Sequence, residues 1–423
     1  MNSPSRSSEP GRTVIIGGGV IGAMTAWYLI ERGEKVTIID KQRFGSGCSH
    51  GNCGYVCPSH ILPLATPGAV TSTLRTILRR NSPLAIRPRM SREFWTWMWH
   101  FTRRCNHRSM MEAARAIHPL LQLSMRLYHD LIDTQHINCE WQERGLLFVF
   151  HSAKEFEHYA GTEQMLRNEF GVGAKPYDGN QLVQLEPALK SGLGGAWHYE
   201  EDCHLRPDAL MSHMRDQLAC RGVQIIEGTE LRNFVCHQRR GVAIRTNSGE
   251  LQADRFVVAT GAWTPLLNEQ LGCRVPIEPG KGYSLTMPTP ERAPKIPMIF
   301  EEHRVAITPM LSGYRIGSTM EFAGYDDSID PRRLRLLKSS AELYLHQPYC
   351  DPIEEEWFGW RPMTWDSVPI IDRAPRMENV YVATGHSMLG LSMATGTGAL
   401  VAEMIYGQPS SIDVRPYSLA RFR

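Results

Sequence analysis

The stretch TVIIGGGVIGAMTAWYLIERGEKVTIID, Thr13 to Asp40, decides how this chain is read. An apolar run, Val14 to Ile16, meets Gly17, Gly19 and Gly22 at G-x-G-x-x-G spacing. A helix pattern follows to Arg32, Gly33 ends it, and a second apolar run, Val36 to Ile39, delivers a carboxylate at Asp40. Gly17 permits a tight turn, Gly19 lets backbone N–H groups approach a pyrophosphate, and Gly22 packs helix on strand. Val20 and Ile21, opening the helix, complete the candidate phosphate cradle, because a helix N-terminus favours phosphate charge. Asp40 stands at the remove where an acid accepts hydrogen bonds from a ribose hydroxyl pair. A Gly-rich turn in an ordinary βαβ unit is the plainer alternative. The acid in its place favours dinucleotide binding.

Around this unit, 423 residues are too many for one simple core, so two domains are expected. With 42% apolar and 21% charged residues the composition is that of a soluble globular protein, and a net charge of +2 gives no reason to expect nucleic acid. Residues 1–11 are polar and rich in Ser and Pro, which predicts a disordered tail without signal-peptide character. No run of 18 uninterrupted apolar residues is present to span a bilayer. The 10 cysteines lack the pairing rhythm of a secreted scaffold, which fits a reducing cytoplasm. Cys48, Cys53 and Cys57 match no common iron–sulfur spacing, so buried or loop cysteines and no metal are expected.

Residues 91–135 read as helical, and FWTWMWHF (Phe94 to Phe101) is flanked by Arg92, Arg103 and Arg104. Trp95 and Trp99 share one face; Phe94, Trp97, Met98 and Phe101 share another. A buried helix is the simpler reading, and an interfacial anchor at a membrane headgroup region the alternative. Further along come a strand at Gly145 to Ser152, a helix near 153–170, and a helix from Pro207 to Cys220 leading to a strand ending at Ile226. A buried strand, Phe256 to Ala259, leads to Thr260 and Gly261; residues 275–345 alternate short strands with Pro and Gly turns. NVYVATGHSMLGLSMATGTGALVAEMIYG reads strand, Gly-rich loop, helix. The fold class is α/β. A Rossmann-type dinucleotide domain is built from noncontiguous segments (12–90, 199–272 and 352–423), and an α+β substrate domain with a mixed or antiparallel sheet comes from 91–198 and 273–351.

These blocks in their order resemble the FAD-dependent D-amino-acid oxidase superfamily, in particular its D-amino-acid dehydrogenase and glycine-oxidase-like branch. The resemblance covers nearly the whole chain. It rests on the G-x-G-x-x-G unit with Asp40, GSGCSHGNCG, VVATGAW (Val257 to Trp263), PGKGYSL (Pro279 to Leu285), GWRPMTWDSVPIID and ATGHSMLGLSMATG. It implies FAD as cofactor. Residues expected near it are Lys41, Cys48, Ser49, His50, Asn52, Gly54, Thr260, Gly261, Trp263 and Gly385, besides the cradle and Asp40. Gly390, Leu391 and Ser392 are implied at the pyrimidine edge of the flavin, where donors would stabilise charge arriving at N1. His50 lies near the histidine that bonds covalently to the flavin in related dimethylglycine and sarcosine dehydrogenases; a noncovalent contact or a plain loop histidine is the alternative.

The same resemblance gives Arg361 the clamping of a substrate carboxylate, a task suited to a planar, permanently charged fork. Its alternative is an ion pair with one of Glu354 to Glu356. Ser59, His60, Tyr283, Trp365 and His386 are the expected substrate walls, with domain packing as the alternative for Tyr283 and Trp365. The implied reaction moves a hydride from the Cα of an amino acid to flavin N5 without an obligatory side-chain base. A D-amino acid is implied, with D-proline or 4-hydroxy-D-proline as a finer suggestion. The electron acceptor is a quinone or carrier protein in a dehydrogenase, or oxygen in an oxidase, with peripheral contact to the inner membrane open. A glycine- or sarcosine-type amine oxidase and a catalytically silent flavin-binding subunit are the rival readings.

Overall fold

Apolar strands buried along nearly their whole length, Arg12–Ile16 and Lys35–Ile39, take the middle of a parallel sheet, as such runs do when helices cover both faces. The computed structural model describes residues 11–69, 82–87 and 89–422, so the expected tail lies outside the described residues except for Gly11. Between the two strands runs the helix Val20–Ile30. The sheet order is Ile370–Arg373, Val380–Thr384, Arg255–Val258, Arg12–Ile16, Lys35–Ile39, Gln224–Ile226. All neighbours are parallel except the first pair. Three distant parts of the chain thus meet in one sheet.

The second sheet has nine strands. Its path runs Glu355–Thr364, Ile277–Met287, Gly313–Phe322, Val305–Met310, Met298–Phe300, Leu146–Phe150, Gly195–Tyr199, Lys175–Asp178, with Leu84–Ile86 added beside Gly313–Phe322. It is mixed: Met298–Phe300 pairs parallel with Leu146–Phe150, as does Leu84–Ile86 with its neighbour, and the other pairs are antiparallel.

The division of segments differs from the expected one in three places. Leu84–Ile86 and Glu355–Thr364 belong to the large sheet, although both fall in segments assigned to the dinucleotide domain. Helix His107–Gln135, assigned to the substrate domain, packs instead on the C-terminal helix Ala394–Tyr406. Its apolar face shares a core with the first helix, and Ser124 and Thr395 join the helices through hydroxyls 2.7 Å apart. Gly396 and Gly398 allow this three-helix layer, since a Cβ at Gly398 would lie 2.6 Å from the backbone of Met24.

Residues 91–135 form two helices rather than one. Arg92–Arg104 ends before Cys105, and Asn106 caps the next helix by accepting from the Ser109 N–H. In the first of these, Phe94 and Trp97 are buried, but Trp95 is 56% and Trp99 53% exposed, so the buried-helix expectation holds for one face only. No helix among the described residues is long and apolar enough to cross a membrane.

Candidate active site

The carboxyl ends of the parallel strands open onto a cavity of about 380 Å³, edged by Ile16 and Gly17, Ile39 and Asp40, Ala259 and Thr260, and Ala383 and Thr384. Ligands of open α/β sheets bind at such a crevice. Gly17 has φ +112°, and a Cβ there would stand 2.4 Å from the Ala259 carbonyl oxygen. At Gly22 a Cβ would meet the Gly17 carbonyl oxygen at 2.0 Å, so this glycine lets helix and strand touch behind the cavity. The helix begins at Gly19 with no side-chain cap and no acid in its first turn, leaving its positive end to the cavity beside Val20 and Ile21. The Val20 N–H donates to Ser49 Oγ at 3.0 Å.

Asp40 accepts from the N–H groups of Gly18 at 2.7 Å and Gln42 at 2.8 Å. Burial raises its pKa, against the pull of these two donors. Lys41 lies over the Trp263 ring at 4.0 Å, both on the cavity wall with Gly261. Gly47, Cys48, Ser49 and Asn52 form the facing wall. Arg315, missed in the sequence, holds that loop. Its guanidinium, 1% exposed, donates to the carbonyls of His50 at 3.2 Å and Asn52 at 2.9 Å and to Thr286 Oγ1 at 2.9 Å, and pairs with Asp208 at 3.3 Å. The available signal was a charge set between the apolar Tyr314 and Ile316 in a strand.

Arg361 reaches the cavity from the large sheet, opposite Gly280 in the register. Its guanidinium lies across Gly282, where a Cβ would come within 2.4 Å of Cζ. Nη1 donates to the Thr319 carbonyl at 2.7 Å. That carbonyl is aimed by two non-glycine residues in left-handed conformation, Ser318 (φ 97°) and Thr319 (φ 52°), where the pairing with the neighbouring strand shifts register. No carboxylate pairs with Arg361 among the described residues; Glu355, one of the alternatives, pairs with His50 instead. Burial lowers the pKa of Arg361, yet a guanidinium stays charged. Among the described residues, a half-buried cation therefore faces the cavity with one carbonyl, one thioether sulfur and no counter-charge.

His386 lines the same wall, its Nε2 2.9 Å from Thr397 Oγ1, and burial pushes its pKa down to about 3. Gly390 and Leu391 also line it. The hydroxyl of Ser387 (φ 51°) and the indole Nε1 of Trp360 are buried without a hydrogen-bond partner among the described residues, and both residues edge the cavity.

Several expected residues stand elsewhere. Tyr283 points from the face of its strand opposite to Gly282 and Arg361, donating to Glu321 Oε2 at 2.5 Å. Trp365 stacks on His100 at 4.1 Å, within the apolar cluster under the aromatic helix. His50 turns its ring away from the cavity to Glu355, 2.7 Å off. Gly54 packs where a Cβ would strike the Leu205 carbonyl oxygen at 2.0 Å. Gly385 lies behind the wall, against Thr364, and Ser392 Oγ donates to the Tyr55 carbonyl. Ser59 donates to Asp202, and the His60 ring packs against Phe148.

The family model of FAD-dependent oxidoreductases, DAO, matches residues 12–404. A D-amino acid dehydrogenase of Granulibacter bethesdensis is 33% identical over 97% of this chain and 99% of its own length. Among solved structures, glycine oxidase from Geobacillus kaustophilus superposes with a TM-score of 0.78 at 21% identity, covering 97% of this chain and 99% of that one. L-proline dehydrogenase from P. horikoshii gives 0.72 at 23%, with 98% of each chain covered. The residues present suit FAD. A bare-glycine turn, an open helix end and an acid stand at one end of the cavity; the orphaned donors of Ser387 and Trp360 stand in the same wall as Arg361. With that fit and a match spanning most of its length, the chain belongs to the DAO family of FAD-dependent oxidoreductases.

Proposed function

We propose that the chain oxidises a D-amino acid, with Arg361 holding the substrate carboxylate. The observation that carries this is the guanidinium of Arg361, facing the cavity with no carboxylate partner among the described residues. Bidentate hydrogen bonding would satisfy it and fix the orientation of Cα. Bound FAD supplies the acceptor for the hydride that leaves Cα. His386, neutral at working pH, offers a hydrogen-bonding ring that neither repels an ammonium group nor competes for the carboxylate. Gly19 to Ile21 and Asp40 hold the dinucleotide; Gly390 and Leu391 serve the flavin end. The kinship with a D-amino acid dehydrogenase supports both the handedness and the dehydrogenase reading. Apolar Trp360, Met388 and Leu391 in the same wall favour a carbon-rich, cyclic side chain such as that of D-proline or 4-hydroxy-D-proline.

Anaerobic addition of D- and L-amino acids, glycine and sarcosine to the yellow protein tests the reading. Bleaching by D-amino acids, D-proline foremost, supports it. Bleaching by glycine or sarcosine alone would indicate an amine oxidase, and none by any of them a silent subunit. Rapid peroxide release under air would overturn the dehydrogenase half.

The acceptor side of the proposal is a quinone reached at a membrane surface. The exposed face of the helix Arg92–Arg104 carries Trp95 and Trp99 with Arg92 and Arg103, the Arg103 guanidinium lying 4.6 Å from the Trp99 ring centroid. Aromatic rings beside arginines suit an anionic headgroup layer. Vesicle sedimentation that is unchanged by Trp95→Ser with Trp99→Ser would remove this part.

A further inference from the structure

Cys57, His60 and Asp202 come from two parts of the chain that the fold brings together. Tyr55–Val56 pairs with Cys203–His204, so the loop just after the first strand meets the turn just before the second. One ligand atom from each of the three residues lies within 4.8 Å of the other two. Cys57 is 1% and Asp202 0% exposed, and the surroundings are apolar: Phe148, Leu166, Trp197 and Tyr199 belong to the same cluster as Cys57.

Hydrogen bonding serves the carboxylate of this group but not its imidazole. Asp202 accepts from Ser59, through N–H at 3.1 Å and Oγ at 2.5 Å, and from the Cys57 thiol, burial raises its pKa to about 7, and it pairs with no cation among the described residues. The Nδ1 of His60 is buried and has no hydrogen-bond partner among the described residues. A carboxylate closed off from water without a counter-charge is costly, and so is an imidazole nitrogen left empty. One divalent cation answers both. A thiolate and a carboxylate balance its two charges, and the neutral imidazole adds a third bond.

We propose that Cys57, His60 and Asp202 bind a structural zinc ion. Zinc accepts sulfur, nitrogen and oxygen ligands together at tetrahedral geometry, which calls for ligand separations of about 3.3–3.8 Å. Side-chain rotation of about 1 Å closes the difference from the present spacing. A crevice of about 10 Å³, lined by Pro58, Ser59, Glu201 and Asp202, leads to the carboxylate and has room for about one water. Harder cations such as magnesium are disfavoured by the thiolate. The ion sits outside the cofactor cavity but is coupled to it. The Cys57 N–H donates to Ser392 Oγ at 3.2 Å, next to Gly390 and Leu391 of the cavity wall, so the metal would pin the segment that carries this contact to the turn at Asp202.

The test uses the purified holoenzyme, dialysed against zinc chloride and then freed of excess metal. About one zinc per chain is expected, with X-ray absorption showing a single sulfur at about 2.3 Å. Cys57→Ser should lose the sulfur scatterer, and His60→Gln should weaken zinc retention at least about tenfold, while Cys220→Ser on the exposed surface changes neither. The thermal midpoint of the wild type should fall on adding a chelator, with the flavin spectrum unaltered at lower temperature. Less than roughly a tenth of a zinc per chain in the wild type, or a sulfur scatterer that survives Cys57→Ser, would overturn the proposal and leave a hydrogen-bonded trio without metal. The wild-type measurement decides even where a variant does not fold.

Discussion

Gly282→Ala isolates the seat of Arg361 without touching the guanidinium itself. The φ of Gly282 lies outside the left-handed region, so alanine meets no backbone strain there. Its Cβ would stand 2.4 Å from both Cζ and Nη2 of Arg361 and 2.5 Å from Nη1, against the 3.4 Å where ordinary contact begins. The group is planar and rigid, so it must move as a whole by about 1 Å. Such a displacement breaks the 2.7 Å bond to the Thr319 carbonyl and misaims the fork toward the cavity. One charge-assisted hydrogen bond is worth about 1.5–3 kcal/mol, or roughly 10- to 150-fold, and a misplacement of this size costs about 100-fold. The expected result is a fall of about 100-fold in kcat/KM for the best D-amino acid, read anaerobically with a dye acceptor, at undiminished flavin content. Arg361→Leu removes the fork outright, so adding Gly282→Ala to it should cost nothing more. Kinetics within threefold of wild type for Gly282→Ala, or a full further loss in the double variant, would refute the assignment of this seat.

Arg315→Met keeps the bulk of a buried side chain but removes the two hydrogen bonds to the His50 and Asn52 carbonyls that hold the loop at Gly47 to Asn52, and the two to Thr286 and Asp208 that fix the guanidinium; FAD affinity should drop at least about tenfold by fluorescence titration. His204 and His386 are buried with pKa values pushed down to about 4 and about 3, so each stays neutral in the folded protein while the unfolded chain takes up a proton near 6.5. Their contribution is present above pH 6.5 and lost as pH falls. His204→Gln or His386→Gln should each flatten the acid-side slope of unfolding free energy by about 1.4 kcal/mol per pH unit between 6.5 and 4, in denaturant titrations. His50, by contrast, has its pKa raised by the hydrogen bond it donates to Glu355, so its stabilisation is present at low pH and disappears as pH rises through its folded value. With about a third of each side chain exposed the pair is worth at most about 1 kcal/mol. His50→Gln should keep all its flavin, and acid precipitation of the wild type should release all of it.

The dinucleotide end was legible because its constraints are local. Gly17, Gly19, Gly22 and Asp40 lie within one βαβ unit, and each follows from a backbone contact or a strand end that neighbouring residues dictate. The parallel sheet from separated segments was legible for a related reason: buried strands read as apolar runs wherever they occur. Helix His107–Gln135 was misassigned because its amphipathic pattern says that it packs but not on what. Tyr283, Trp365 and His50 were left between a site role and a packing or loop role by the same gap. An aromatic or imidazole ring near a motif is equally fit for a cavity wall or for a partner such as Glu321, His100 or Glu355, and only the fold chooses.

The substrate end depends on register, which pattern alone does not carry. Arg361 faces Gly282 because Glu355–Thr364 pairs with Ile277–Met287 so that Gly280 opposes Arg361; a slip by one residue would put Tyr283 in place of the glycine and close the seat. The same pairing, with Ser318 and Thr319 forced into left-handed conformation, turns the Thr319 carbonyl onto the guanidinium. Those two conformations cost about 1–3 kcal/mol each. The carbonyl that these conformations aim meets a cation with no carboxylate partner among the described residues, which ties the strain in the large sheet to the chemistry proposed for the cavity.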